Sequence, residues 1–208
     1  MLTRDLVAAR GALRRELRAR RRALDATTRR QAARGLARAV AGHPYYARAR
    51  RLATYLASDG ELDPARLVER AWASGRRCYL PVLIDRPWPH LRFAPHTPDT
   101  RFVPNRFGIP EPDVPRRKLL PARELDLLLL PLVAFDAQGN RLGMGGGYFD
   151  RTLAYQRQRA WRRPRLLGIG YAFQQVAGLD AASWDVPLHG VVTERGMLSR
   201  ADRGEGAR

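Results

Sequence analysis

Several features are scarce in this chain of 208 residues. Cys78 is the only cysteine, which excludes an internal disulfide and predicts a reducing location, the cytoplasm. The longest apolar run covers residues 127–135, is interrupted by Pro131, and is far too short to cross a bilayer. The first twenty residues contain several arginines and no continuous apolar stretch, so neither a secretory signal nor a membrane partner is expected.

Lysine is almost absent, since Lys118 is the only lysine among 38 basic residues. The net charge is +18, and residues 1–51 carry fifteen arginines against Asp5, Glu16 and Asp25, a surplus of +12 that leaves +6 for the rest. Such a surplus favours an anionic partner, either nucleic acid or a small polyanion such as a nucleotide. An arginine-rich source composition explains it equally well, and the charge alone leaves both interpretations open.

The composition is that of a globular protein. Hydrophobic residues make up 45% of the chain and charged residues 28%, which excludes a disordered or coiled-coil chain. A chain of this length buries about 70% of its unfolded surface, enough for one sizeable core. We therefore predict a single domain over residues 1–202 and a disordered tail at residues 203–208.

The N-terminal segment, residues 3–24, has the pattern of an amphipathic helix. Four leucines share one face, within an arc of about 40° at the helical step: Leu6, Leu13, Leu17 and Leu24. Three arginines lie beside that face and can reach the body of the protein: Arg10, Arg14 and Arg21. Three others are expected to point into solvent: Arg15, Arg18 and Arg22.

The rest of the chain alternates strands with helices. Strands are predicted at residues 51–57, 77–83, 91–94, 125–130, 165–170 and 190–193. Helices are predicted from a cap at Asp25, Thr27 or Thr28 to Gly42, from Asp63-Pro64 to Gly75, and over residues 148–161. Residues 95–118 are rich in proline and are expected to form an irregular loop that lines a site. The alternation predicts an α/β fold, a three-layer αβα domain with a largely parallel sheet, preceded by the basic N-terminal helix.

A glycine-rich stretch, residues 141–150, lies between an apolar strand and a helix and reads Arg-Leu-Gly-Met-Gly-Gly-Gly-Tyr-Phe-Asp. Four glycines in five positions let the backbone approach a ligand, and their N–H groups with the following helix N-terminus suit phosphate oxygens. The spacing matches neither the Walker A pattern nor the dinucleotide pattern. We interpret the stretch as a phosphate cradle, and the glycines alone leave a flexible turn as the alternative.

The run from Asp126 to Asp150 resembles the signature of the 5-formyltetrahydrofolate cyclo-ligases, also called 5,10-methenyltetrahydrofolate synthetases. The residues that carry the resemblance are Pro131, Phe135, Asp136, Gly139 and all of 141–150. Less specific similarity covers the basic N-terminal helix and residues 55–61, 109–112, 184–188 and 192–194. Together these segments extend over nearly the whole chain in the family's order.

The resemblance implies a fold similar to that of phosphosugar isomerases and CoA-transferases, and an enzyme of folate one-carbon metabolism. Such an enzyme uses ATP and Mg²⁺ to close 5-formyltetrahydrofolate into 5,10-methenyltetrahydrofolate, releasing ADP and phosphate. In the family's proposed route the formyl oxygen takes the γ-phosphoryl group, N10 attacks the activated carbon, and phosphate leaves. Catalysis then depends mainly on positioning and on neutralising phosphate charge. The implied partner is a reduced folate, with or without a polyglutamate tail, bound by a monomer.

The resemblance also implies roles for individual residues. Those that match the family's ATP contacts are Arg10, Arg14, Arg141, Leu142, Gly143, Met144, Gly145, Gly146, Gly147, Tyr148 and Phe149. Asp150 and Asp185 match its magnesium carboxylates, since a hard cation that bridges phosphates takes one or two such oxygens. Those that match its folate contacts are Leu56, Glu61 and Tyr148. Tyr148 is expected to pack against a flat ring, whereas core packing is favoured for Phe107.

Some alternatives and departures accompany these roles. Asp150 could instead stabilise its helix N-terminus, and Asp185 could be a simple turn residue. His189 stands where the family usually has an acidic residue four places after the metal aspartate, and Phe149 replaces the commoner second tyrosine.

The sequence leaves two other function classes open. A basic nucleic-acid-binding protein would explain the N-terminal arginines but would leave the glycine-rich stretch and the paired aspartates unexplained, so nucleic acid is not the expected partner. A phosphosugar isomerase or acyl-CoA enzyme is the third candidate, on the implied fold alone. The four histidines show no metal-ligand spacing, so zinc is not expected.

Overall fold

The computed structural model describes residues 4–106, 108–158, 163–180, 182 and 184–199. Phe107, the end of the helix predicted over residues 148–161, and the tail predicted at residues 203–208 lie outside the described residues. Within the described part, no helix is both long enough and apolar enough to cross a bilayer.

Among the described elements, three helices precede the first strand, and two more helices lie between later groups of strands. The helices are α1 (Arg4–Arg22), α2 (Ala26–Ala41), α3 (Pro44–Arg48), α4 (Ala65–Ala73) and α5 (Tyr148–Leu153). The first six strands are β1 (Arg51–Ala53), β2 (Arg77–Ile84), β3 (His90–His96), β4 (Phe102–Pro104), β5 (Pro110–Pro112) and β6 (Leu127–Pro131). The others are β7 (Ala134–Phe135), β8 (Arg141–Leu142), β9 (Arg165–Ile169), β10 (Gly190–Thr193) and β11 (Gly196–Ser199).

One seven-stranded sheet organises the chain, in the order β11-β10-β9-β6-β1-β2-β3. Its inner strands β10, β9, β6, β1 and β2 are all parallel to their inner neighbours, and only the edge strands β3 and β11 pair antiparallel. The largely parallel sheet confirms the predicted α/β class. Two short antiparallel pairs, β4 with β5 and β7 with β8, stand outside this sheet.

Both faces of the sheet are covered because successive side chains of β6 point in opposite directions. Leu127 and Leu129 are fully buried in a core with α2 and α4 on one face. Leu128 and Leu130 are fully buried on the other face, in a core that includes Leu153 of α5. The run of four leucines is therefore the central strand of three layers, as its uninterrupted apolar sequence predicted.

The helix ends follow the predicted capping residues. At the start of α2 the Asp25 carboxylate accepts hydrogen bonds from the N–H groups of Thr27 and Thr28, both at 2.8 Å. At the start of α4 the Asp63 carboxylate accepts the N–H of Ala65 at 2.8 Å. Beyond the end of α4, Gly75 has a φ of +72°, which permits the left-handed turn that ends the helix.

Helix α1 packs on the segment that follows β6. Its Leu17 is 3% exposed and packs in a small third core with Val133, Ala134 and Leu142 from the segment after β6. Leu13 also contacts this core. Leu13 and Leu17 of the predicted leucine face therefore dock on the segment that contains β7 and β8, which brings Arg14 to the same end of the sheet. The helix is shorter than predicted, because α1 ends at Arg22, and Leu24 packs instead against the first core, which includes α2 and α4.

Several elements differ from the sequence-based expectation, and α3, β7 and β8 were not predicted. The helix predicted over residues 148–161 ends as an α-helix at Leu153 and continues as a 3₁₀ turn through Arg157. The strand predicted at residues 51–57 ends at Ala53, and the chain then leaves the sheet. The proline-rich segment contains the β4–β5 pair, and β11 adds an edge strand that was not predicted. These are short elements or element ends, where tertiary contacts outweigh local sequence preference.

Candidate active site

A crevice forms where β1 and β6 lie side by side. The chain leaves β1 toward α4 on one face of the sheet and leaves β6 toward α5 on the opposite face. Open α/β sheets bind ligands at such a switch point, outside the carboxyl ends of the strands. The segments that follow these two strands, residues 54–61 and 132–150, carry most of the candidate site residues, and the others lie on α1 and before β10.

The glycine-rich loop, residues 143–147, connects β8 to α5. Gly145 has a φ of +101° and Gly147, which caps α5, has a φ of +65°. A Cβ added at Gly147 would lie 2.7 Å from Arg151, and one at Gly146 would lie 3.1 Å from the Tyr148 ring. The positive φ values explain why glycine occupies positions 145 and 147, whereas a Cβ at Gly143 would meet nothing within 4 Å.

Two arginines of α1 meet this loop. Arg14 donates from Nε to the carbonyl oxygen of Gly143 at 2.8 Å, and its guanidinium lies beside Gly145. Arg10 lies one turn earlier and contacts Asp185 at 3.5 Å. Burial and the neighbouring Arg10 charge lower the pKa of Arg14, and Asp185 opposes them. Two guanidinium groups side by side near backbone N–H groups provide the positive charge that an anion would need.

The two aspartates predicted to hold magnesium come from the first turn of α5, which carries Asp150, and from the segment before β10, which carries Asp185. Arg141 pairs with Asp150 at 2.5 Å and also donates to the Val186 carbonyl, and Val186 N–H faces the same Asp150 oxygen at 3.5 Å. Asp185 accepts the Ala182 N–H at 2.9 Å and the Arg10 contact on one oxygen. Within the described residues, the second oxygen of each carboxylate has no protein hydrogen bond.

This donor set suits Mg²⁺ only as part of a larger shell. No group of three or more acidic, histidine or cysteine side chains that could hold a metal occurs in the described part of the chain. Two carboxylates with one uncommitted oxygen each match the usual arrangement in which phosphate oxygens and water complete the shell of the ion. The Nδ1 atom of His189 accepts the Leu166 N–H at 3.0 Å, so that nitrogen is not available to a metal ion.

Glu61 and Leu56 lie across the crevice, on the loop after β1. The Glu61 carboxylate is 9% exposed and accepts the Ser58 N–H at 3.1 Å. Burial raises the pKa of Glu61, while the Ser58 N–H and the Arg21 charge lower it less. Glu61 also lines a cavity of about 420 Å³, but the other lining residues come from α2, the loop after β1 and the start of α4, and none comes from the glycine-rich loop. Leu56 is half-buried and does not line this cavity.

The aromatic residues at the start of α5 serve partly as core. Tyr148 and Phe149 are half-buried and pack against the second core. The Tyr148 hydroxyl accepts from Arg106 at 2.6 Å, and Arg151 lies 5.1 Å from the centre of its ring. Leu142 is fully buried, so only its backbone can contact a ligand.

The expectation that Arg18 points into solvent is wrong, whereas Arg22 is exposed as expected but is also paired with an acidic residue. Asp59 accepts hydrogen bonds from Arg18 at 2.7 Å, from Arg21 at 2.7 Å and from Arg22 at 2.9 Å. Sequence reasoning missed Asp59, although the positions 18, 21 and 22 fall on one side of a helix and the Asp59-Gly60 pair marks a turn. Much of the N-terminal charge is thus directed at the body of the protein.

The family of 5-formyltetrahydrofolate cyclo-ligases matches residues 7–194 of the chain. The chain is 41% identical over 179 residues to the 5-formyltetrahydrofolate cyclo-ligase of Escherichia coli strain K12, covering 85% of this chain and 96% of that protein. It is 42% identical over 146 residues to the Haemophilus influenzae cyclo-ligase, covering 69% and 75%. Its structure resembles that of Aquifex aeolicus 5,10-methenyltetrahydrofolate synthetase, with a TM-score of 0.77, 26% identity and 96% coverage of both chains.

Proposed function

The chain belongs to the 5-formyltetrahydrofolate cyclo-ligase family, and from this membership we propose that it uses ATP to close 5-formyltetrahydrofolate into 5,10-methenyltetrahydrofolate, with release of ADP and phosphate. The observation that carries the proposal is the contact of Arg14 with the glycine-rich loop at the switch point of the sheet. This contact joins a cationic helix to a loop of backbone N–H donors, an arrangement suited to a nucleoside triphosphate.

The ATP phosphates are assigned to the glycine-rich loop and α1. The loop backbone from Gly143 to Gly147 offers N–H groups without side chains in the way, and Arg10 and Arg14 supply positive charge on the other side. Leu142 contributes through its backbone, whereas Met144, 51% exposed, and the half-buried Phe149 have side chains within reach of a ligand. Arg141 is buried against Asp150, so its contribution is to orient that carboxylate.

Asp150 and Asp185 are the residues that would hold Mg²⁺. The ion, when bound, neutralises charge on the phosphates and so favours phosphoryl transfer. The protein's part is to hold one oxygen of each carboxylate, which leaves the other oxygen for the ion. The Arg141 pair does this for Asp150, and the Ala182 N–H does it for Asp185.

The folate is assigned to the loop after β1 and to Tyr148. Glu61 can accept hydrogen bonds from the N–H groups of the pterin ring, and its low exposure strengthens such bonds. Leu56 and the Tyr148 ring provide apolar surface for the flat ring system. The reduced folate is thus expected to lie between the two loops with its formyl group toward the ATP.

The reaction proceeds by activation of an amide-like oxygen. The formyl oxygen attacks the γ-phosphorus, the bond from that phosphorus to ADP breaks, and the formyl carbon becomes electrophilic. N10 then attacks this carbon, loses its proton, and phosphate departs with the former formyl oxygen. Arg10, Arg14 and the loop N–H groups stabilise the phosphoryl oxygens during transfer, and no protein nucleophile is required.

A coupled assay tests the proposal. Purified protein is given 5-formyltetrahydrofolate with Mg²⁺, with and without ATP, and the methenyl product and ADP are measured together. We expect equal amounts of the two products and neither without ATP. The proposal fails if methenyl product forms equally without ATP or does not form under any condition.

A further inference from the structure

Arg21 has the lowest exposure of any charged side chain among the described residues, at 1%. A guanidinium withdrawn from water must have its N–H groups paired. Arg21 Nε donates to the Asp59 carbonyl at 2.8 Å, and Nη2 donates to the Asp59 carboxylate at 2.7 Å. Such a side chain cannot touch a ligand itself, so any role in the site must act through its neighbours.

The contacts of Arg21 join the two halves of the candidate site. Beyond Asp59, Arg21 reaches the Leu132 carbonyl at 3.5 Å, directly after β6, and the Met144 sulfur at 3.9 Å in the glycine-rich loop. Its Nη2 lies 3.7 Å from the Glu61 carboxylate. One side chain of α1 therefore contacts the segments after both strands of the switch point.

The loop after β1 lies directly against the backbone of α1. A Cβ added at Gly60 would come within 2.9 Å of the Arg21 carbonyl oxygen, and Gly60 has a φ of +76°. Asp59 has a φ of +50°, which is uncommon for a residue other than glycine. Arg21 bonds both the carbonyl oxygen and the carboxylate of Asp59, and these two contacts hold this conformation, which fixes the chain two residues before Glu61.

The Glu61 carboxylate is oriented from two sides. Its Oε2 accepts the Ser58 N–H at 3.1 Å, and its Oε1 faces Arg21 at a distance too long for a hydrogen bond. The Arg21 charge thus attracts Oε1 of Glu61 without a hydrogen bond, so the lone pairs of Oε1 are left for a ligand. On the same helix Arg14 holds the glycine-rich loop, about 10.5 Å away along the helix axis.

We propose that Arg21 is a positioning residue that, through Asp59, fixes the Glu61 carboxylate relative to the ATP half of the site on α1 and the glycine-rich loop. This inference rests on the proposed function, because it takes Glu61 as the folate acceptor. Arg21 is buried beside Glu61 but donates no hydrogen bond to it, so its loss displaces Glu61 without removing a ligand contact. The folate half of the site is expected to suffer more than the ATP half.

The test compares Arg21→Lys and Arg21→Gln with Arg22→Gln as the matched control. Arg22 also binds Asp59, at 2.9 Å, but is half exposed and has no contact with Glu61, Leu132 or Met144 among the described residues. Lysine keeps the charge and loses the forked geometry. The measurements are separate KM values for 5-formyltetrahydrofolate and ATP, kcat, and a thermal unfolding curve for each protein.

We expect Arg21→Gln to raise the folate KM about tenfold, Arg21→Lys to restore part of that loss, and the ATP KM to change less than about twofold in both. Arg22→Gln should leave both KM values near those of the parent. A purely structural role predicts equal losses for ATP and folate, or the same losses in Arg22→Gln, and either result overturns the inference.

Two further outcomes distinguish a failure of the inference from a failure of the proposed function. If the parent protein forms no ATP-dependent product, the proposed function fails, and the inference fails with it. If the Arg21 variants do not fold, Asp59→Asn gives the decision, because it keeps the size of the side chain and weakens the same link. A folate KM that rises selectively in Asp59→Asn supports the inference, and an unchanged folate KM overturns it while the enzyme assignment stands.

Discussion

Arg14 donates from Nε to the carbonyl oxygen of Gly143 at 2.8 Å, which joins the N-terminal helix to a loop 129 positions later in the chain. The neighbouring Arg15 is exposed and has no hydrogen bond or ion pair in the described part of the protein. A one-residue step around the helix thus separates an arginine at the candidate site from an arginine in solvent.

Variants of Arg14 and Arg15 distinguish an ATP site from a nucleic-acid-binding surface. Arg14→Ala should lower kcat/KM for ATP by the equivalent of about 1–3 kcal/mol of transition-state stabilisation, the usual scale for a hydrogen bond to a charged group. Arg15→Ala should leave ATP kinetics nearly unchanged. A phosphate-tracking surface would instead lose RNA affinity similarly in both variants, with a smaller salt dependence. Equal RNA losses with unaltered ATP kinetics would contradict the enzyme interpretation of α1.

The glycine-rich loop should not accept a branched residue at Gly145. Its φ of +101° is unfavourable for valine, and the added side chain would approach Arg14. We expect Gly145→Val to remain folded and to lose ATP binding, measured by titration calorimetry. Gly178→Val is the control, because a Cβ there meets nothing within 4 Å and the residue is exposed. Unchanged ATP affinity in Gly145→Val would return the loop to a simple turn.

The proposed magnesium carboxylates predict a specific kinetic change. Asp185→Asn keeps the shape of the side chain and removes a charge that offsets the ion. Activity should fall and more Mg²⁺ should be needed to reach half of the maximum. Asp113→Asn serves as the control, since Asp113 is exposed and distant in sequence from both aspartates. If the Mg²⁺ titration of Asp185→Asn overlays that of the parent, Asp185 does not hold the ion.

The lowered pKa of Asp59 leads us to expect that the protein loses stability in acid. Burial would raise the pKa of Asp59, but hydrogen bonds from Arg18, Arg22 and Arg21 outweigh it and hold the pKa well below its usual range. A depressed pKa in the folded state contributes stability above the unfolded value of about 3.9, and this contribution is lost as the pH falls below that value toward the folded pKa. Asp59→Asn should therefore unfold at less urea at pH 7 and lose less further stability between pH 4 and pH 3 than the parent. Parallel pH curves for the two proteins would contradict this assignment.

Two helix glycines should respond oppositely to alanine. In α1, a Cβ at Gly11 meets only the flexible Arg15 side chain, at 3.7 Å, so Gly11→Ala should stabilise by roughly 0.5–1 kcal/mol through helix propensity. In α2, a Cβ at Gly35 would lie 2.3 Å from the Glu194 carbonyl oxygen. Overpacking against a backbone atom outweighs propensity there, and Gly35→Ala should destabilise by about 1–3 kcal/mol. Urea unfolding of both variants gives the two signs directly.

The sequence by itself determined the features that repeat over a few residues. The spacing of Leu13 and Leu17 in α1, the apolar run of β6, and the caps at Asp25 and Gly75 each act within one or two helical turns or one strand. Backbone geometry relates such neighbours in a fixed way, so periodicity and capping chemistry are sufficient to recognise them. The glycine-rich loop can also be recognised from the sequence, because its glycines are close together in the chain.

Only the tertiary structure decided which distant groups meet. Periodicity gives the direction of Arg18 and Arg22 around α1, but their partner Asp59 comes from a loop about 40 residues later whose path depends on the whole sheet. The burial of Arg21 and the pairing of β11 have the same origin. A charged or short polar segment has little local preference, and its position is fixed by the free energy of contacts that form only when the chain has folded.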